Sequence, residues 1–297
     1  MNLVITGATG FVGREIVRQA RAGGHTVRAI VRDPRAMRAW DTGTGIELVR
    51  GDVTDAPSLT GVMQGVDCVI HLVGIIHERK PDTFEKVHAE GTKNIVEAAR
   101  SAGVNRFLHM SALGTRAGAR SRYHQTKWAA EECVRNSGLA WTIIRPSVIY
   151  GPEDLSINVL TSVMRRLPFV PVLGDGRANI QPVAVETVAR AFVAAITLPA
   201  SIAKTYALCG PVAFSWNELY DRLLAFYSWR KPKLHLPLPI ARCLAALFET
   251  ILRQPPFTRD QLLMIEEDNV GDPAPAVRDF ALQLESFEQG LARNLKR

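Results

Sequence analysis

The feature that most constrains the fold of this chain is a set of three glycines near its start. Gly7, Gly10 and Gly13 stand three apart in MNLVITGATGFVGREIVRQA, where a short apolar run gives way to residues with helical spacing. The first glycine permits a tight turn, the second lets the backbone approach a ligand, and the third lets the helix pack against a sheet. Because the N–H groups that begin such a helix attract phosphates, the pattern predicts a dinucleotide site, with packing alone as the alternative. The remaining predicted contacts of this turn are Thr9, Phe11 and Val12.

Apolar runs of strand length alternate with amphipathic helical stretches over the first half of the chain, and the latter include a short helix predicted in APSLTGVMQGV and a long one predicted in TFEKVHAEGTKNIVEAARSAGV. The runs are NLVIT, HTVRAIVRD, IELVRGDV, DCVIHLVG, RFLHMSAL and AWTIIRPSV. Strands that are apolar throughout are typical of parallel sheets covered by helices on both faces. The sequence therefore predicts an α/β fold: a Rossmann-type doubly wound parallel sheet over residues 1–150 and a smaller substrate lobe over residues 151–297. The pattern leaves open whether later segments return to the first domain.

The composition argues against several classes of function. The four cysteines are scattered singly, and neither they nor the seven histidines show metal-ligand spacing, so we expect no disulfide and no metal. The net charge of +7 is spread along the chain without a recognition motif, so we expect no nucleic-acid partner. We expect no signal peptide, and no transmembrane segment because the apolar stretches fall short of the roughly 20 residues that a spanning helix needs. We therefore expect a cytoplasmic protein, with peripheral contact to the inner face of a membrane left open.

The residues after the second predicted strand bear on which dinucleotide is bound. In VRAIVRDP the strand runs into Arg32 before Asp33. A guanidinium pairs well with a phosphate, whereas a carboxylate at this point accepts hydrogen bonds from ribose hydroxyls. Arg32 therefore favours NADP(H). NAD(H) is the alternative if Asp33 turns inward or if Arg32 is a solvated surface residue.

The segment GDVTD ends the third predicted strand and is a candidate for contact with the adenine. Asp52 and Val53 stand where an adenine ring would lie across the edge of the sheet. Asp52 is a candidate acceptor of a hydrogen bond from the adenine amino group, and a role as a cap of its own loop is the equal alternative.

A tyrosine and a lysine stand four residues apart on a predicted helix. Tyr123 and Lys127, in RYHQTKWAAEE, therefore share one helix face. An ammonium beside a phenol favours the phenolate, so we expect Lys127 to lower the pKa of Tyr123 from about 10 toward neutrality. Tyr123 is thus a candidate general acid or base, and Lys127 is a candidate for holding a ribose.

Together these segments resemble the short-chain dehydrogenase/reductase superfamily, in its extended or atypical branch. The matching pieces, in chain order, are TGATGFVG, GDVTD, HLVG, EGTKN, MSALG, the Tyr123/Lys127 pair, RPSVIYGPED, GDGRANIQPVAVETVARA and YALCGP. The resemblance implies that Tyr123 is the catalytic acid/base and that Lys127 clamps the nicotinamide ribose. It also carries cofactor contacts onto Leu72, Val73, Gly74 and Pro146.

The resemblance departs at one catalytic position. The Ser or Thr that holds the substrate oxygen in this family is expected one or two residues after Ser111, where Ala112 and Leu113 stand. Ser111 is therefore the candidate for this role, with Thr115 as the alternative. A site without such a hydroxyl stabilises an oxyanion less. The resemblance further implies that Asn94 ties the central helix to the fourth strand.

The tail of the chain gives a narrower resemblance and a second hypothesis. PPFTRDQLLMIEEDNV, together with RPSVIYGPED, is similar to the NADPH-binding accessory subunits of respiratory complex I and their bacterial relatives. The chain is accordingly either an NAD(P)H-dependent oxidoreductase or epimerase of unknown substrate, or a nucleotide-binding structural or sensing module in a respiratory or membrane assembly.

One apolar helical stretch of the second half has several interpretations. PIARCLAALFETILRQ places Ile240, Leu244, Leu247, Ile251 and Leu252 near one helical face. Such a face can pack on the lobe, dock to a partner subunit, or lie in a membrane interface.

Overall fold

The computed structural model describes residues 1–33, 46–252 and 255–294. Its strands are β1 (Asn2–Thr6), β2 (Thr26–Val31), β3 (Ile46–Arg50), β4 (Cys68–His71), β5 (Arg106–Met110), β6 (Ala140–Pro146), β7 (Ile149–Tyr150), β8 (Val170–Leu173), β9 (Asn179–Ile180), β10 (Val183–Ala184), β11 (Lys204–Leu208), β12 (Phe214–Ser215) and β13 (Lys233–Leu236). Its α-helices are α1 (Phe11–Ala22), α2 (Gly91–Ser101), α3 (Arg122–Arg135), α4 (Ile157–Arg166), α5 (Val185–Thr197), α6 (Trp216–Phe226), α7 (Leu238–Ile251), α8 (Arg259–Ile265), α9 (Ala274–Asp279) and α10 (Phe287–Asn294).

The centre of the fold is a seven-stranded sheet in the order β11-β6-β5-β4-β1-β2-β3. Every neighbouring pair is parallel, and β1 lies between β2 and β4 with Leu3 opposite both Val27 and Cys68. The predicted doubly wound parallel sheet is therefore confirmed. Since β11 is one of its edge strands, the chain beyond residue 150 contributes to the sheet.

Helices cover both faces of the sheet, as the alternation along β1 illustrates. Leu3 and Ile5 face a core that includes Ile16 of α1 and Phe192 of α5. Val4 faces the opposite core, which is formed with α2 and α3. Successive strand side chains point to opposite faces, so a strand buried on both sides must be apolar at every position.

Two stretches that were expected to be α-helical differ in detail. The short helix expected in APSLTGVMQGV is a single 3₁₀ turn, Ala56–Leu59. Gly61 and Gly65 follow with φ of +74° and +70°, and a right-handed helix cannot continue through such residues. The long helix expected over TFEKVHAEGTKNIVEAARSAGV begins with a π-helical turn, Glu85–Glu90, before α2.

The second half builds a lobe beside the carboxyl ends of the sheet strands. Short two-stranded ladders join β7 to β10, β8 to β13 and β9 to β12. Their core contains Tyr150, Phe214 and Phe287. A smaller core, with Ala241, Ala245 and Leu262 as its buried members, holds α7 against α8.

Candidate functional site

The glycine turn has the geometry that its sequence predicts. Gly7 follows β1 with φ of +74°, and the Gly10 N–H donates to the Gly7 carbonyl at 3.0 Å. A Cβ on Gly13 would lie 2.1 Å from the Gly7 carbonyl oxygen, which no side chain tolerates. The turn therefore requires glycine at its first and third positions, because of backbone conformation at one and space at the other.

The first turn of α1 adjoins the glycine turn and the lobe. Gly10 is the N-cap, no described side chain caps it, and the first turn contains no acidic residue. Val12 is buried, Thr9 is exposed, and Phe11 is half-buried. The Phe11 ring packs so closely on Gly151 that a Cβ there would lie 2.9 Å from its Cζ. The N-terminus of α1 thus presents backbone N–H groups beside an aromatic edge.

The candidate cofactor-selecting residue, Arg32, lies at the carboxyl end of β2. Its side chain is 71% exposed and pairs with the Asp82 carboxylate at 3.1 Å. An exposed pair of this kind is weak, so it constrains Arg32 little. Arg32 is thus placed at the edge of the sheet where a dinucleotide ribose would lie, with a carboxylate as its present partner.

Asp52 and Val53 take structural contacts in the loop after β3. Asp52 Oδ1 accepts from the N–H and the hydroxyl of Thr54, both at 2.9 Å, so Asp52 caps its own loop. Val53 is buried, and its carbonyl accepts from Asn94 Nδ2 at 2.8 Å. Asn94 therefore ties the central helix to the segment after the third strand, and the expectation of the fourth strand is wrong.

The loop after β4 brings the glycine turn and α3 together. The Leu72 N–H donates to the carbonyl of Thr6, and a Cβ on Gly7 would lie 3.2 Å from the Val73 nitrogen. On the other side of this loop, a Cβ on Gly74 would lie 3.0 Å from Lys127 Nζ. Residues 72–74 are therefore packed between the predicted phosphate turn and the predicted ribose lysine.

Lys127 lies buried at the centre of this site. It is 2% exposed, and its ammonium donates to the Met110 carbonyl at the end of β5 at 3.2 Å. Burial lowers the pKa of Lys127 to about 8, against a smaller opposing effect of the Glu131 carboxylate. A buried ammonium bonded to a carbonyl rather than to a carboxylate is available to a further polar or anionic partner.

Tyr123, one turn earlier on α3, is half-buried among rings. The rings of Phe84, His88 and His124 approach it edge-on, with centroids 5.9, 5.3 and 5.2 Å away. Burial raises the pKa of Tyr123 to about 12. This is opposite to the direction expected from the spacing to Lys127, because desolvation of the phenolate dominates in the folded chain.

The hydroxyl position of the family is apolar here and is closed by the lobe. Ser111 is buried, and its hydroxyl donates to Thr115 Oγ1 at 3.4 Å. The Leu113 N–H donates to the Pro146 carbonyl at 2.8 Å, and Gly271 of the lobe lies against its side chain. Asn269 Nδ2 donates to the Leu113 carbonyl at 3.1 Å. The segments at the ends of β5 and β6 are thereby joined to the lobe.

Histidines that sequence reasoning did not assign to the site lie beneath it. His88, in the π-helical turn, accepts from the Ile75 N–H at Nε2, so its proton is on Nδ1 and is donated to Thr126 Oγ1 at 2.9 Å. Burial lowers the pKa of His88 to about 2, so the ring stays neutral. His88 thus links the loop after β4 to α3. Only the π-helical insertion, which spacing does not reveal, places it there.

His71 and His109 form a second buried pair of rings. His71 bonds Thr6 Oγ1 at 2.7 Å and Thr92 Oγ1 at 3.1 Å, and it stacks on His109 with centroids 5.4 Å apart. Burial lowers the pKa of His71 to about 3, which leaves Lys127 as the cationic group of this interior. The low dielectric there strengthens the field that Lys127 exerts.

A carboxylate from the lobe holds the N-terminus of α3. Asp260, in α8, accepts from the N–H groups of Arg122 and Tyr123 at 2.7 and 3.1 Å. No sequence signal relates two positions that are 137 residues apart. Asp260 therefore fixes the start of the helix that carries Tyr123 and Lys127.

Two further properties of the described residues bear on function. Residues 1–33, 46–252 and 255–294 contain no group of three or more His, Cys, Asp or Glu side chains placed to hold a metal ion. Among the described helices, none combines the length and the apolar character needed to cross a membrane.

Comparison with known protein families identifies the class of this site. A family model described as NAD(P)H-binding matches residues 7–198, which include the glycine turn, residues 72–74 and the Tyr123/Lys127 pair. The chain belongs to this NAD(P)H-binding family. The dinucleotide predicted from the glycine turn is therefore the ligand class of the family.

Individual relatives support the narrower resemblances. The chain is 31% identical over 292 residues, 96% of its length and 73% of the other protein's, to NADH dehydrogenase [ubiquinone] 1 alpha subcomplex subunit 9, mitochondrial, of Arabidopsis thaliana. It is 33% identical over 227 residues, 76% of its length and 67% of the other's, to a ceramide reductase of Caulobacter vibrioides. The resemblance to the complex I accessory subunit is thus confirmed.

A solved structure shows the same fold. A dTDP-glucose 4,6-dehydratase of Streptomyces venezuelae, with NAD bound, superposes with a TM-score of 0.77 at 21% identity, covering 100% of this chain and 96% of that one. The resemblance to extended short-chain dehydrogenase/reductases is confirmed at the level of fold.

Proposed function

We propose that this protein is an NADP(H)-dependent reductase of a carbonyl substrate, in which Tyr123 donates the proton and Lys127 holds the nicotinamide ribose. The observation that carries the proposal is the packing of residues 72–74 between the glycine turn and Lys127 Nζ, through contacts of 3.2 and 3.0 Å from Gly7 and Gly74. This packing supports a phosphate-binding turn and a ribose-binding lysine that lie side by side at one edge of the sheet, where such folds bind ligands.

The residues present fit a dinucleotide. The turn brings the backbone to the start of α1 because its first and third positions are glycine. A Cβ would strain the backbone at the first position and collide with the turn at the third. When bound, the dinucleotide supplies a hydride at its nicotinamide ring. The chain supplies backbone N–H groups for the phosphates, the Lys127 ammonium for the ribose, and Pro146 and residues 72–74 as flanking surfaces.

The state of Tyr123 suits a proton donor. With its pKa raised to about 12, the phenol keeps its proton at neutral pH and can donate it to an oxygen that gains electrons. The chain is also similar to a protein named ceramide reductase, which supports a carbonyl or hydroxyl group on a lipid-like molecule as the substrate class.

The preference for NADP(H) rests on Arg32. Its guanidinium lies at the end of β2, where it pairs with the Asp82 carboxylate. When NADP(H) binds, the guanidinium leaves Asp82 and pairs with the 2′-phosphate. A cytoplasmic location is part of the proposal, since the four cysteines are free, as in a reducing compartment.

A second candidate function is a non-catalytic NADPH-binding subunit. The observation that favours it is Leu113, which stands where the family has a hydroxyl and packs on Gly271 of the lobe. The similarity to a complex I subunit over 96% of the chain supports the same candidate, with a respiratory assembly as partner.

Titration separates the cofactor question from the catalytic one. Purified wild type, Arg32→Ala and Asp82→Asn are titrated with NADPH and NADH, following nicotinamide fluorescence. We expect NADPH to bind at least about tenfold more tightly than NADH, Arg32→Ala to remove the difference, and Asp82→Asn to keep it. Equal affinity of wild type for NADPH and NADH contradicts the NADP(H) preference.

Turnover then separates the two candidate functions. NADPH oxidation is followed with a panel of aliphatic and long-chain ketones, using wild type and Tyr123→Phe. A reductase loses at least about 100-fold in turnover in Tyr123→Phe while its NADPH affinity is unchanged. A rate above background that is the same in both proteins excludes the proposed role of Tyr123, and no turnover with any ketone favours the subunit.

A further inference from the structure

Exposed apolar side chains are concentrated on one part of the lobe. Among the described residues, eight of the thirteen exposed large apolar side chains lie on or directly beside α4, β13 and α7: Leu155, Val159, Val163, Leu234, Ile240, Leu247, Ile251 and Leu252. Single exposed apolar residues are ordinary on a protein surface, whereas a concentration of them indicates a contact surface.

The outward face of α7 is an apolar stripe without charge. Ile240, Leu247 and Ile251 are 51%, 50% and 68% exposed, and with half-buried Leu244 they follow the spacing of one helix face. The adjacent face, with Ala241 and Ala245, is buried against α8.

Both charged residues of α7 are held by partners beyond the helix. Arg242 donates to the Glu266 carboxylate at 2.6 Å, and the Glu249 carboxylate accepts from Arg259 at 2.8 Å. The stripe is therefore left with apolar atoms alone, while the charges serve to join α7 to the segment around α8.

Exposed arginines stand beside two of these elements, α4 and β13. Arg165 and Arg166 end α4, Arg230 precedes β13, and all three are exposed. The Lys231 ammonium brings these segments together by donating to the carbonyls of Met164 and Leu167 at 2.6 and 2.7 Å. The Arg165 carbonyl also accepts from Lys231, at 3.2 Å, but none of the three guanidinium groups forms a hydrogen bond or an ion pair within residues 1–33, 46–252 and 255–294.

We propose that α4, β13 and α7 form a surface that lies on an anionic membrane. Charge indicates what covers this surface. The arginines at the surface have no carboxylate partner, whereas the nearby carboxylates of Asp221 and Glu249 are each paired with a cation. Apolar side chains that adjoin free arginines match the acyl boundary and the headgroups of anionic lipid. The net charge of +7 favours the same surface.

This placement bears on the site that is proposed above. Helix α7 packs on α8, and Asp260 of α8 holds the start of α3. A membrane beneath α7 would therefore lie within roughly 20 Å of Tyr123, since packed helices are about 10 Å apart. The membrane contact does not rest on the catalytic proposal, but it offers a source for a lipid-like substrate.

Vesicle co-sedimentation tests the surface with the full chain. The probes are vesicles of phosphatidylcholine alone and of phosphatidylcholine with phosphatidylglycerol. We expect wild type to bind only the anionic vesicles, Leu247→Glu/Ile251→Glu to lose binding, and Arg165→Ala/Arg166→Ala to bind at least about tenfold less tightly. The matched control is Ile202→Glu/Val212→Glu, which alters two exposed apolar residues elsewhere and should bind as wild type does.

Each other outcome overturns the proposal. Wild type that binds neither vesicle, or a control that loses as much binding as Leu247→Glu/Ile251→Glu, contradicts a lipid-facing surface. A dimer of wild type that dissociates in Leu247→Glu/Ile251→Glu, with no vesicle binding, assigns the surface to a second copy of the chain. NADPH titration of each variant verifies folding. Because the predicted dinucleotide site lies at the glycine turn and the proposed membrane surface lies on the lobe, failure of the cofactor proposal is distinguished from failure of the membrane proposal.

Discussion

Two helices begin beside the candidate site, and they differ in what their N-terminal N–H groups contact. At α1 the N-cap is Gly10, with neither a side-chain cap nor an acidic residue in the first turn. At α3 the Ser121 hydroxyl accepts from the His124 N–H, and the Asp260 carboxylate accepts from the first two N–H groups of the helix.

The difference shows one physical property put to two uses. Every helix start carries unpaired N–H groups and a partial positive charge that favour an anion. At α3 the anion is part of the protein and joins the lobe to the helix of Tyr123. At α1 the chain provides only glycine and open backbone, as a helix that takes its anion from a ligand would.

The largest effect is expected where α1 depends on the absence of a side chain. In Gly13→Ala the new Cβ would lie 2.1 Å from the Gly7 carbonyl oxygen and 2.8 Å from the Ala8 Cα, so the turn and the helix must separate. We expect a loss of at least about 4 kcal/mol in the free energy of unfolding, together with loss of NADPH binding. Urea unfolding and nicotinamide fluorescence measure the two.

Gly10→Ala is the matched control for this substitution. Its Cβ would lie 3.3 Å from the Gly7 carbonyl oxygen, and Gly10 has a negative φ of −75°. We expect a stability loss of about 1 kcal/mol or less, but clearly weaker NADPH binding, because the methyl occupies the path of the pyrophosphate. Equal destabilisation by both substitutions contradicts the separate roles of the two glycines.

The uncapped N-terminus of α1 could be predicted from the sequence, whereas the capping of α3 by Asp260 could not. The glycine turn is a local pattern: a strand, a turn with fixed glycine spacing and a helix follow within 22 residues. The contact of Asp260 with α3 joins positions 137 residues apart, and neither position is unusual in its own segment. Local spacing determines backbone conformation, but it does not determine which distant side chain fills a helix start.

The same distinction explains what was predicted of the chemistry. The spacing of Tyr123 and Lys127 correctly indicates a shared helix. It does not indicate the direction of the Tyr123 pKa, which depends on the burial contributed by Phe84, His88 and His124. His124 is the next residue of α3, but Phe84 and His88 come from a distant segment of the chain, so their effect is tertiary.

Lys127 of α3 packs against residues 72–74, whose other side contacts the glycine turn. Its folded-state pKa of about 8 is below the ordinary value of 10.5, so folding carries the full cost of burying the charge below pH 8. As the pH rises from about 8 toward 10.5, the folded state loses its proton first and the free energy of unfolding rises. Lys127→Met should therefore be more stable than wild type at pH 7, on the order of 3 kcal/mol, with the gap narrowing toward pH 10.

Urea unfolding at pH 7 and pH 10 measures this gap. Lys93→Met, which removes an exposed lysine of α2, is the control and should leave the pH dependence of wild type unchanged. A Lys127→Met gap of the same size at both pH values would mean that packing, and not the charge, sets the difference. NADPH binding by Lys127→Met should be weakened, since the ribose loses its ammonium.

The smallest effect on stability is expected at the N-terminus of α3. Asp260→Ala leaves the first two N–H groups of α3 without their carboxylate, so we expect a loss of about 1 to 2 kcal/mol in the free energy of unfolding. The matched control is Asp272→Ala, which removes a local cap from the Ala274 N–H, a bond of 2.9 Å that does not join two parts of the molecule.

Two readouts distinguish the joining role of Asp260 from simple capping. Because Asp260 connects α8 to α3, Asp260→Ala should also lower the cooperativity of urea unfolding, seen as a smaller dependence of the free energy on urea, whereas Asp272→Ala should not. Turnover in Asp260→Ala should fall more than NADPH affinity, since the turn of α3 that carries Tyr123 loses its support while α1 keeps its own N-terminus. If both variants unfold with the cooperativity of wild type, the Asp260 carboxylate only caps α3. In that case α1 and α3 differ in whether a side chain caps them, and the cap of α3 does not couple the lobe to the helix.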